Sequence, residues 1–333
     1  MQSCGITDKS VPLWPANLLL GNMDVACSTD SNYLKYAITM LLSLFDHHQG
    51  EEVRIHLLAD GLTDDEVDKV RCVVEGHGAK LMVYAVDGDY LGTLVQGCYG
   101  YITPTTYARL FLPDLLPQEV KRVIYLDCDL LVLDSLLPLW EYPLKETHEV
   151  GAVEDSCCAN PTYYSRLHLS PEEHRYFNAG VLLINLEAWR KGDFVKRALE
   201  LLHSNSLPLD YADQDVLNVL CVGRTTYLPF RYNLQEAMLR RYVPEISDES
   251  RRLIVESLPC PAIIHFTYLL KPWNYVSFHP YRRHFYHYFD QTDWKGERPS
   301  PTFKQRLWRL MWRIGAAIGK VNTYWPLPEH LRM

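Results

Sequence analysis

Strand-like and helix-like segments alternate through the first part of the chain. Met23 to Ser28, Val53 to Asp60 and Lys80 to Val86 are short apolar runs typical of buried strands. Between them, Asn32 to Phe45 has helical apolar spacing, and Thr63 is followed by acids that favour a helix N-terminus. Strands that alternate with helices pair in parallel, because each helix carries the chain back across the sheet. The order predicts an α/β fold, a mostly parallel sheet with helices on both faces.

Acidic residues follow several of the strand-like runs, at Asp30, Asp60, Asp87 and Asp127. Ligands of parallel α/β sheets bind at the carboxyl ends of the strands, so this edge is the expected site. The first strand is not followed by Gly-x-Gly-x-x-Gly, and the chain contains no Gly-x-x-x-x-Gly-Lys-Ser/Thr sequence. A dinucleotide-dependent dehydrogenase and a P-loop enzyme are therefore disfavoured.

Two aspartates interrupt a very apolar stretch, "VIYLDCDLLVLDSLLPL" at Val123 to Leu139. Val123 to Leu126 predicts a buried strand, and Asp127 and Asp129 follow it. Buried, unpaired carboxylates are costly, and a divalent cation is their usual partner. The same Asp-x-Asp spacing occurs twice more, at Asp87/Asp89 and at Asp213/Asp215. The triplet alone is therefore weak evidence for a metal site.

Composition limits the class of protein. The 333 residues, 47% of them hydrophobic, suit one large α/β domain, and a net charge of -8 argues against nucleic-acid binding, which needs a basic face. The nine cysteines include no Cys-x-x-Cys pair, which favours reduced thiols. The N-terminus lacks the pattern of a signal peptide, and no apolar run reaches the ~18 residues of a membrane span. We therefore expect a cytoplasmic protein.

Six segments in this order resemble glycosyltransferase family 8, the retaining transferases that include lipopolysaccharide galactosyl- and glucosyltransferases and glycogenin. They are "STDSNY", "TYARL", "VIYLDCDLLVLDSL", "FNAGVLLIN", "DQDVLN" and "IIHFTYLLKPW". The resemblance implies a GT-A fold, in which a Rossmann-like nucleotide half is joined to an acceptor half. It also implies a UDP-sugar donor and Mn²⁺, with Mg²⁺ as the alternative. We place the transferase domain at residues 23–295, after an N-terminal extension at residues 1–22.

The resemblance makes Asp127, Asp129 and His265 the metal ligands. Carboxylates are hard oxygen ligands, and an imidazole shifts the preference toward Mn²⁺. Taken alone, His265 would more often be a core histidine. Lys271, in "TYLLKPW", is implied to reach the donor diphosphate as a mobile cation. Tyr268 departs from the family, which commonly has Gly there to let the backbone approach the phosphate.

Other residues are implied to hold the donor. Asp30, Asn32 and Tyr33 correspond to contacts with uracil and ribose, with the Tyr33 ring stacked on the base; the alternative is a turn and helix N-cap. Arg109 corresponds to a residue that holds the donor sugar or the phosphates, although an isolated arginine is more often part of a surface salt bridge. Cys128, between the two acids, is included among the donor contacts.

Asn178, Asp213 and Gln214 are the candidates for the reacting sugar. Ala179 and Gly180 leave room for a ligand beside Asn178. Double displacement would need a carboxylate near the anomeric carbon, whereas the resemblance places the amide of Gln214 there. We therefore expect same-face attack, with Gln214 stabilising positive charge and Asp213 holding sugar hydroxyls.

Simpler alternatives exist for these residues and their neighbours. The alternative for Asn178, Asp213 and Gln214 is a polar helix surface. Asp215 is expected to cap or pair on its helix. Asp155 is a further candidate for a sugar or acceptor contact.

The predicted function is metal-dependent, retaining transfer of hexose from UDP-galactose or UDP-glucose to a saccharide acceptor, such as lipopolysaccharide or another cell-surface glycan. Two alternatives stay open. A glycogenin-like protein would glucosylate its own tyrosine, of which the chain has 22. A non-catalytic, membrane-associated scaffold could use a decayed transferase fold, although Asp127, Asp129, His265 and Lys271 are all retained.

The tail, residues 302–333, predicts a basic amphipathic helix from Phe303 to Val321. An apolar face is followed by a basic stripe and by a third side that carries Trp308 and Trp312. The apolar face comprises Phe303, Leu307, Leu310, Ile314, Ile318 and Val321, and the stripe comprises Arg306, Arg309, Arg313 and Lys320. This pattern is typical of a helix that lies on an anionic membrane, here the inner face of the cytoplasmic membrane near a lipid-linked acceptor. The alternative is a helix docked on the transferase domain.

Overall fold

A computed structural model describes residues 22–94 and 103–333 of the chain. The predicted N-terminal extension therefore lies outside the described residues, apart from Asn22. The strands are β1 (Met23–Asp30), β2 (Val53–Asp60), β3 (Lys80–Val86), β4 (Arg122–Leu126), β5 (Leu130–Val132), β6 (Val150–Glu154), β7 (Phe177–Asn185), β8 (Thr225–Tyr227), β9 (Leu234–Gln235) and β10 (Ile263–His265).

The helices are α1 (Leu34–Asp46), α2 (Asp64–Gly76), α3 (Gly88–Leu94), α4 (Leu112–Leu115), α5 (Leu137–Trp140), α6 (Pro161–Leu167), α7 (Leu186–Lys191), α8 (Phe194–Ser204), α9 (Ala212–Leu220), α10 (Asp248–Ser257), α11 (Arg282–Phe289) and α12 (Phe303–Ala317). Short 3-10 helices lie at Pro104–Phe111, Phe230–Tyr232, Glu236–Leu239 and Glu329–Leu331.

The central sheet has the strand order β3-β2-β1-β4-β7-β6-β8. The first four strands in this order pair in parallel, as the alternation of segments predicts. Strand β7 is antiparallel to both β4 and β6. The sheet is therefore mostly parallel, and the reversal of β7 was not predicted.

Side chains of the central strands alternate between two apolar cores. In β1, Val25 and Cys27 pack with α1 and α2 on one face of the sheet. Ala26 points to the other face, where it belongs to the core that includes Tyr107, Trp189 and residues of α8 and α9. Period-two alternation in a strand buried on both sides requires such a double cover. The prediction of helices on both faces is confirmed.

A second, three-stranded sheet has the order β5-β10-β9. Strand β5 begins directly after Asp129 and pairs antiparallel with β10, so that His265 lies opposite Leu130. This long-range pairing brings the end of β10 to the acidic turn after β4. The small sheet therefore explains how His265 comes to lie beside Asp127 and Asp129.

The tail forms a shorter helix than predicted. Helix α12 ends at Ala317, with Ile318 as its C-cap, and Val321 lies beyond it. The side with Trp312 faces the domain, where the Trp312 ring stacks on Phe278 at 4.0 Å between centroids; the Trp308 ring lies 6.4 Å from Phe278. The large apolar side chains exposed to solvent in residues 303–318 are Phe303, Leu307, Trp308, Leu310, Met311, Ile314 and Ile318. The described residues contain no helix long and apolar enough to cross a membrane.

Among the described cysteines, Cys260 differs from expectation. Free thiols are carried by Cys27, Cys72, Cys128, Cys157, Cys158 and Cys221. Cys260 is disulfide-bonded, which the sequence did not predict.

Candidate active site

A pocket of about 430 Å³ opens at the carboxyl ends of β1, β4 and β6. Its volume falls within the ~300–1,000 Å³ of typical small-molecule sites. Every predicted site residue except Asn32 lines this pocket, and so does Asp155. Asn32 is exposed on the turn before α1 and does not line the pocket, unlike Asp30 and Tyr33, which were predicted with it. The structure thus assembles residues from distant motifs at the edge that the acidic strand ends indicated.

Asp127, Asp129 and His265 lie close enough together to hold one metal ion. One ligand atom from each lies within 4.8 Å of the others. Nε2 of His265 is 3.2 Å from Oδ1 of Asp129 and 3.8 Å from Oδ2 of Asp127. Two carboxylate oxygens and one imidazole nitrogen form a donor set that suits Mn²⁺.

Two neighbours fix this arrangement. Nδ1 of His265 lies 3.0 Å from Oδ1 of Asn233, so a proton on Nδ1 leaves Nε2 free to bind a metal. Gly180 of β7 leaves the space that the ligand side chains fill, since a Cβ there would collide with His265 and stand 2.7 Å from Oδ2 of Asp127. The room predicted beside Asn178 is therefore occupied by metal-ligand side chains. These features fit the implied metal.

Lys271 reaches the same acids. Its ammonium group donates to Oδ2 of Asp129 and to the carbonyl oxygen of Phe266. Burial by itself would raise the pKa of Asp129, but the charge of Lys271 and the hydrogen bonds from Lys271 and His265 outweigh it and lower that pKa. Asp129 is therefore held ionised, as a metal ligand must be.

Arg109 is not part of a surface salt bridge. Its guanidinium is buried, lies 2.7 Å from Oδ1 of Asp127 and 3.0 Å from Oδ2 of Asp213, and donates to the carbonyl oxygen of Ala179 at 2.6 Å. Tyr125 covers the group from 4.2 Å. Arg109 thus joins a predicted metal ligand to a predicted sugar ligand, and its planar fork holds both carboxylates in place.

Gln214 is held rigidly at the other end of the pocket. Its Oε1 accepts hydrogen bonds from Nδ2 of Asn178 at 3.1 Å and from the backbone N–H of Ala179 at 3.0 Å. Its Nε2 donates to the hydroxyl of Tyr176 at 3.2 Å and to Asp155 at 3.4 Å. The amide is therefore part of a pocket wall, and the alternative of a polar helix surface is wrong for it.

Asp213 is buried beside Gln214. Its Oδ2 lies 3.0 Å from Nε of Arg109 but accepts no well-formed hydrogen bond from the described residues. Burial raises the pKa of Asp213 to about 6, against the opposing effect of Arg109. A carboxylate in a pocket that lacks a full set of hydrogen bonds is suited to accept a hydrogen bond from a hydroxyl group of a ligand.

Asp215, on the same helix, has a structural role. It is fully buried, accepts two hydrogen bonds from Arg166 at 2.5 and 2.9 Å, and accepts others from the Tyr176 hydroxyl and the Tyr211 backbone N–H. The expectation that Asp215 caps or pairs is confirmed.

The segment "STDSNY", predicted to hold the nucleoside, combines its two interpretations, a turn before a helix and a ligand contact. Oδ1 of Asp30 accepts the backbone N–H of Tyr33 at 2.9 Å, which closes the turn before α1, yet both residues line the pocket. The Tyr33 ring packs edge-on against Tyr36, and Tyr36 stacks on Trp273 at 3.8 Å. Cys128 is buried, and its thiol donates to the carbonyl oxygen of Ser28. This contact ties the acidic turn to β1, and Cys128 also lines the pocket.

Sequence reasoning missed several residues of the site. Asn233 donates to Oδ1 of Asn178 at 2.9 Å and so connects His265 to the Gln214 network. Tyr163 also lines the pocket, and Thr105, another lining residue, donates to Asp60 at 2.5 Å. Asn233 lies in "RYNLQEA", between a 3-10 helix and a two-residue strand, where no periodicity marks it.

Comparison with known proteins identifies the group to which these motifs belong. The profile of glycosyl transferase family 8 matches residues 24–277, most of the chain and all six motifs. The chain belongs to glycosyltransferase family 8. General stress protein A of Bacillus subtilis is 29% identical over 276 residues, which are 82% of this chain and 94% of that protein. A lipopolysaccharide 1,2-glucosyltransferase of Escherichia coli K12 is 26% identical over 294 residues, 87% of this chain and 85% of the enzyme.

Solved structures of family 8 agree on the fold. The galactosyltransferase LgtC, in complex with donor and acceptor sugar analogs, superposes with a TM-score of 0.74 at 28% identity and covers 85% of this chain and 99% of LgtC. The family 8 protein described here therefore has the predicted GT-A fold, and it is a glycosyltransferase that uses a nucleotide-sugar donor and a saccharide acceptor.

Proposed function

We propose that this protein is a retaining hexosyltransferase that uses UDP-galactose or UDP-glucose, requires Mn²⁺, and extends lipopolysaccharide or another cell-surface glycan. The observation that carries the proposal is the joining of Asp127, Asp129 and His265, within 4.8 Å, to a pocket whose far end holds Gln214. A bound divalent cation neutralises charge on a leaving diphosphate. Lys271 adds a second positive charge at the same place. The lipopolysaccharide glucosyltransferase among the relatives supports the acceptor class.

The sugar end of the pocket bears on how a retaining transferase would keep the configuration of the sugar. Oε1 of Gln214 already accepts two hydrogen bonds, which makes an amide that is a weak nucleophile weaker still. Asp155 accepts hydrogen bonds from Asn178, Gln214 and the backbone N–H of Cys157, so its carboxylate is also engaged. We therefore favour same-face attack. In this route the Gln214 amide dipole stabilises the positively charged sugar, and Asp213 accepts hydrogen bonds from the hydroxyl groups of the sugar.

Donor consumption tests the function. Hydrolysis should be measured across a panel of UDP-sugars with Mn²⁺, with Mg²⁺ and with chelator, and we expect UDP-glucose or UDP-galactose to be consumed with Mn²⁺. Asp129→Asn should abolish this activity, whereas Asp134→Asn, which weakens an exposed pair with Arg231 outside the pocket, should not. Full activity of the Asp129→Asn protein in excess chelator would contradict the proposed metal role.

Measurement of the intact mass distinguishes a transferase with an external acceptor from a self-glucosylating protein. After incubation with UDP-glucose, a transferase with an external acceptor keeps its mass, whereas a self-glucosylating protein gains hexose units. Consumption of no UDP-sugar would instead favour the non-catalytic scaffold.

We also propose that α12 holds the enzyme on an anionic membrane, which would place it at the inner face of the cytoplasmic membrane. The apolar residues of α12 are exposed, and the side with Trp312 is the one that packs on the domain. Lys304, Arg306 and Arg313 on this helix form none of the ion pairs found within the described residues. Exposed apolar and basic side chains on one helix suit a membrane interface.

A further inference from the structure

Tyr268 has a backbone conformation that its side chain disfavours. Its φ is +63°, in the left-handed region, at the position where family 8 commonly has glycine. Among the described residues, the other non-glycine residues with positive φ are His168, Asp193, Asn205 and Ala212. Histidine, aspartate and asparagine tolerate this region better, which leaves Ala212 and Tyr268. Tyr268 lines the pocket, and Ala212 lies between Tyr211 and Asp213, which line it. A strained residue retained beside a site points to a use for its side chain.

The Tyr268 side chain crosses toward the sugar end of the pocket. Its hydroxyl lies 3.1 Å from Sγ of Cys157, in the turn after β6. The backbone N–H of Cys157 donates to Oδ1 of Asp155 at 2.9 Å, and Oδ2 of Asp155 accepts from Gln214. Tyr268 is thus connected to the catalytic amide through two residues.

The ring is positioned to contact a second ligand. Tyr268 lines the pocket, and 46% of it remains exposed. Tyr163 and Tyr211, which pack edge-on at 5.1 Å, line the same end. Saccharides present an apolar C–H face that packs on aromatic rings, and aromatic walls with a few polar groups are typical of small-ligand sites.

We propose that Tyr268 is the platform on which the acceptor sugar packs, and therefore a residue that determines acceptor specificity. The inference rests on the proposed transferase function and deepens it. The hydroxyl contact with Cys157 orients the ring, and the aromatic face supplies the binding surface. A glycine at this position would leave that wall open.

Tyr268→Gly is the direct test, because glycine suits a φ of +63° and the variant should fold at least as stably as the wild type. The donor is the UDP-hexose that the wild type hydrolyses fastest, and the acceptor probe is the best of a panel of methyl α- and β-glucosides and galactosides. We expect the KM for the methyl hexoside to rise about fivefold, more than the KM for the donor.

Further variants separate the contribution of the Tyr268 ring from that of its hydroxyl contact with Cys157. Tyr268→Phe keeps the ring and should keep most of the acceptor affinity, and Cys157→Ala should resemble it. Tyr242→Ala removes an exposed tyrosine outside the pocket and should leave the acceptor KM unchanged. Thermal unfolding of each variant confirms that it is folded.

The outcomes distinguish failure of the acceptor platform from failure of the proposed transferase function. An active Tyr268→Gly protein with the wild-type acceptor KM overturns the platform and leaves the transferase function intact. A wild-type protein that consumes no UDP-hexose overturns the proposed function and, with it, the acceptor assignment.

Discussion

Gly180 is the residue on which the geometry of the proposed metal site depends most directly. Strand β7 passes so close to His265 and Asp127 that only a residue without a Cβ fits between them. The backbone N–H of the same glycine donates to Oδ1 of Asn178, and its carbonyl oxygen accepts the Asp127 backbone N–H at 2.8 Å. Its backbone is therefore fixed, and an added methyl group must displace the ligand side chains.

Gly180→Ala should weaken Mn²⁺ binding about tenfold or more, since displacement of a ligand by a fraction of an ångström already disturbs coordination. Electron paramagnetic resonance of free Mn²⁺, titrated with protein and UDP, measures this affinity. Gly151→Ala is a matched control: Gly151 lies in β6, away from the pocket, where a methyl group crowds Leu144 and should lower stability without changing Mn²⁺ affinity. Equal Mn²⁺ affinity for wild type and Gly180→Ala would contradict the proposed ligand geometry.

Residue-scale prediction succeeded where chemistry is visible in a short motif. Asp127, Asp129 and His265 lie in motifs that resemble those of the family, and the resemblance implies that they bind a metal; the structure brings the three side chains together. The setting of Arg109 could not be predicted, because its contacts with Asp127 and Asp213 join three separate motifs. Residues that act by connecting motifs carry no local signal.

At the scale of elements, Asn233 connects the small sheet to the central one. It precedes β9, accepts a hydrogen bond from His265 of β10 when Nδ1 carries the proton, and donates to Asn178 of β7. Its side chain is fully buried, so each of these hydrogen bonds is made without competition from water. The metal end and the sugar end of the pocket therefore share one positioning residue.

Asn233→Asp tests this connection, since the carboxylate can still accept from Nδ1 of His265 but cannot donate to Asn178. We expect Mn²⁺ affinity to change little and kcat to fall about tenfold or more as the Gln214 network loosens. Asn233→Ala removes both contacts and should also weaken Mn²⁺. If Asn233→Asp lowered Mn²⁺ affinity while kcat was preserved, Asn233 would act on the metal end alone.

The difference between local patterns and contacts between distant segments also explains which elements the sequence predicts. Strands β1 to β3 and helices α1 and α2 follow from local periodicity, and the Thr63–Glu66 capping box marks the start of α2. The reversal of β7 and the pairing of β5 with β10 do not, because residues far apart in sequence determine them. Helix α12 was predicted too long because the apolar spacing continues to Val321, while the chain turns at Gly319, whose φ is +68°.

At the scale of the whole molecule, a buried histidine makes stability depend on pH. His279 packs against the edge of Phe266 at 4.7 Å, and its Nδ1 accepts the Tyr281 backbone N–H. Burial, together with the charges of Arg240 and Lys271, lowers the pKa of His279 to about 3 from its usual 6.5. The folded protein keeps this ring neutral, whereas the unfolded chain binds a proton below pH 6.5.

The free energy of unfolding should therefore fall as the pH drops below 6.5, and His279 alone should account for about 2 kcal/mol between pH 6.5 and 5. His279→Asn keeps an acceptor near Nδ1 but cannot be protonated, so its loss over this range should be smaller by that amount. Urea unfolding of both proteins at the two pH values measures the difference. Parallel pH dependences would show that His279 is not kept neutral by the fold.

The orientation of the pocket relative to a membrane depends on how the tail is attached. Beyond α12, Asn322 exchanges hydrogen bonds with the backbone of Tyr242, and the Trp325 N–H donates to the carbonyl oxygen of Leu239 at 2.8 Å. The Tyr324 hydroxyl donates to Glu236 at 2.5 Å, one residue from the pocket-lining Gln235. Truncation before α12 would remove these contacts too, so membrane binding is better tested by substitutions on the exposed face.

Leu310 and Ile314 are 54% and 47% exposed, and they lie one helical turn apart on that face. The double variant Leu310→Gln/Ile314→Gln should bind phosphatidylglycerol-containing vesicles at least about tenfold more weakly, because burial of each side chain contributes about 1.5 kcal/mol or more. The wild type should bind these vesicles more tightly than phosphatidylcholine vesicles and lose affinity with added salt, because each basic residue contributes about 1 kcal/mol at an anionic surface.

Val255→Gln, an exposed site on α10, is the matched control, and co-sedimentation measures binding. UDP-hexose hydrolysis in solution should be the same for all three proteins, since none of these residues lines the pocket. Equal sedimentation of the double variant and the control would show that α12 is not the membrane contact.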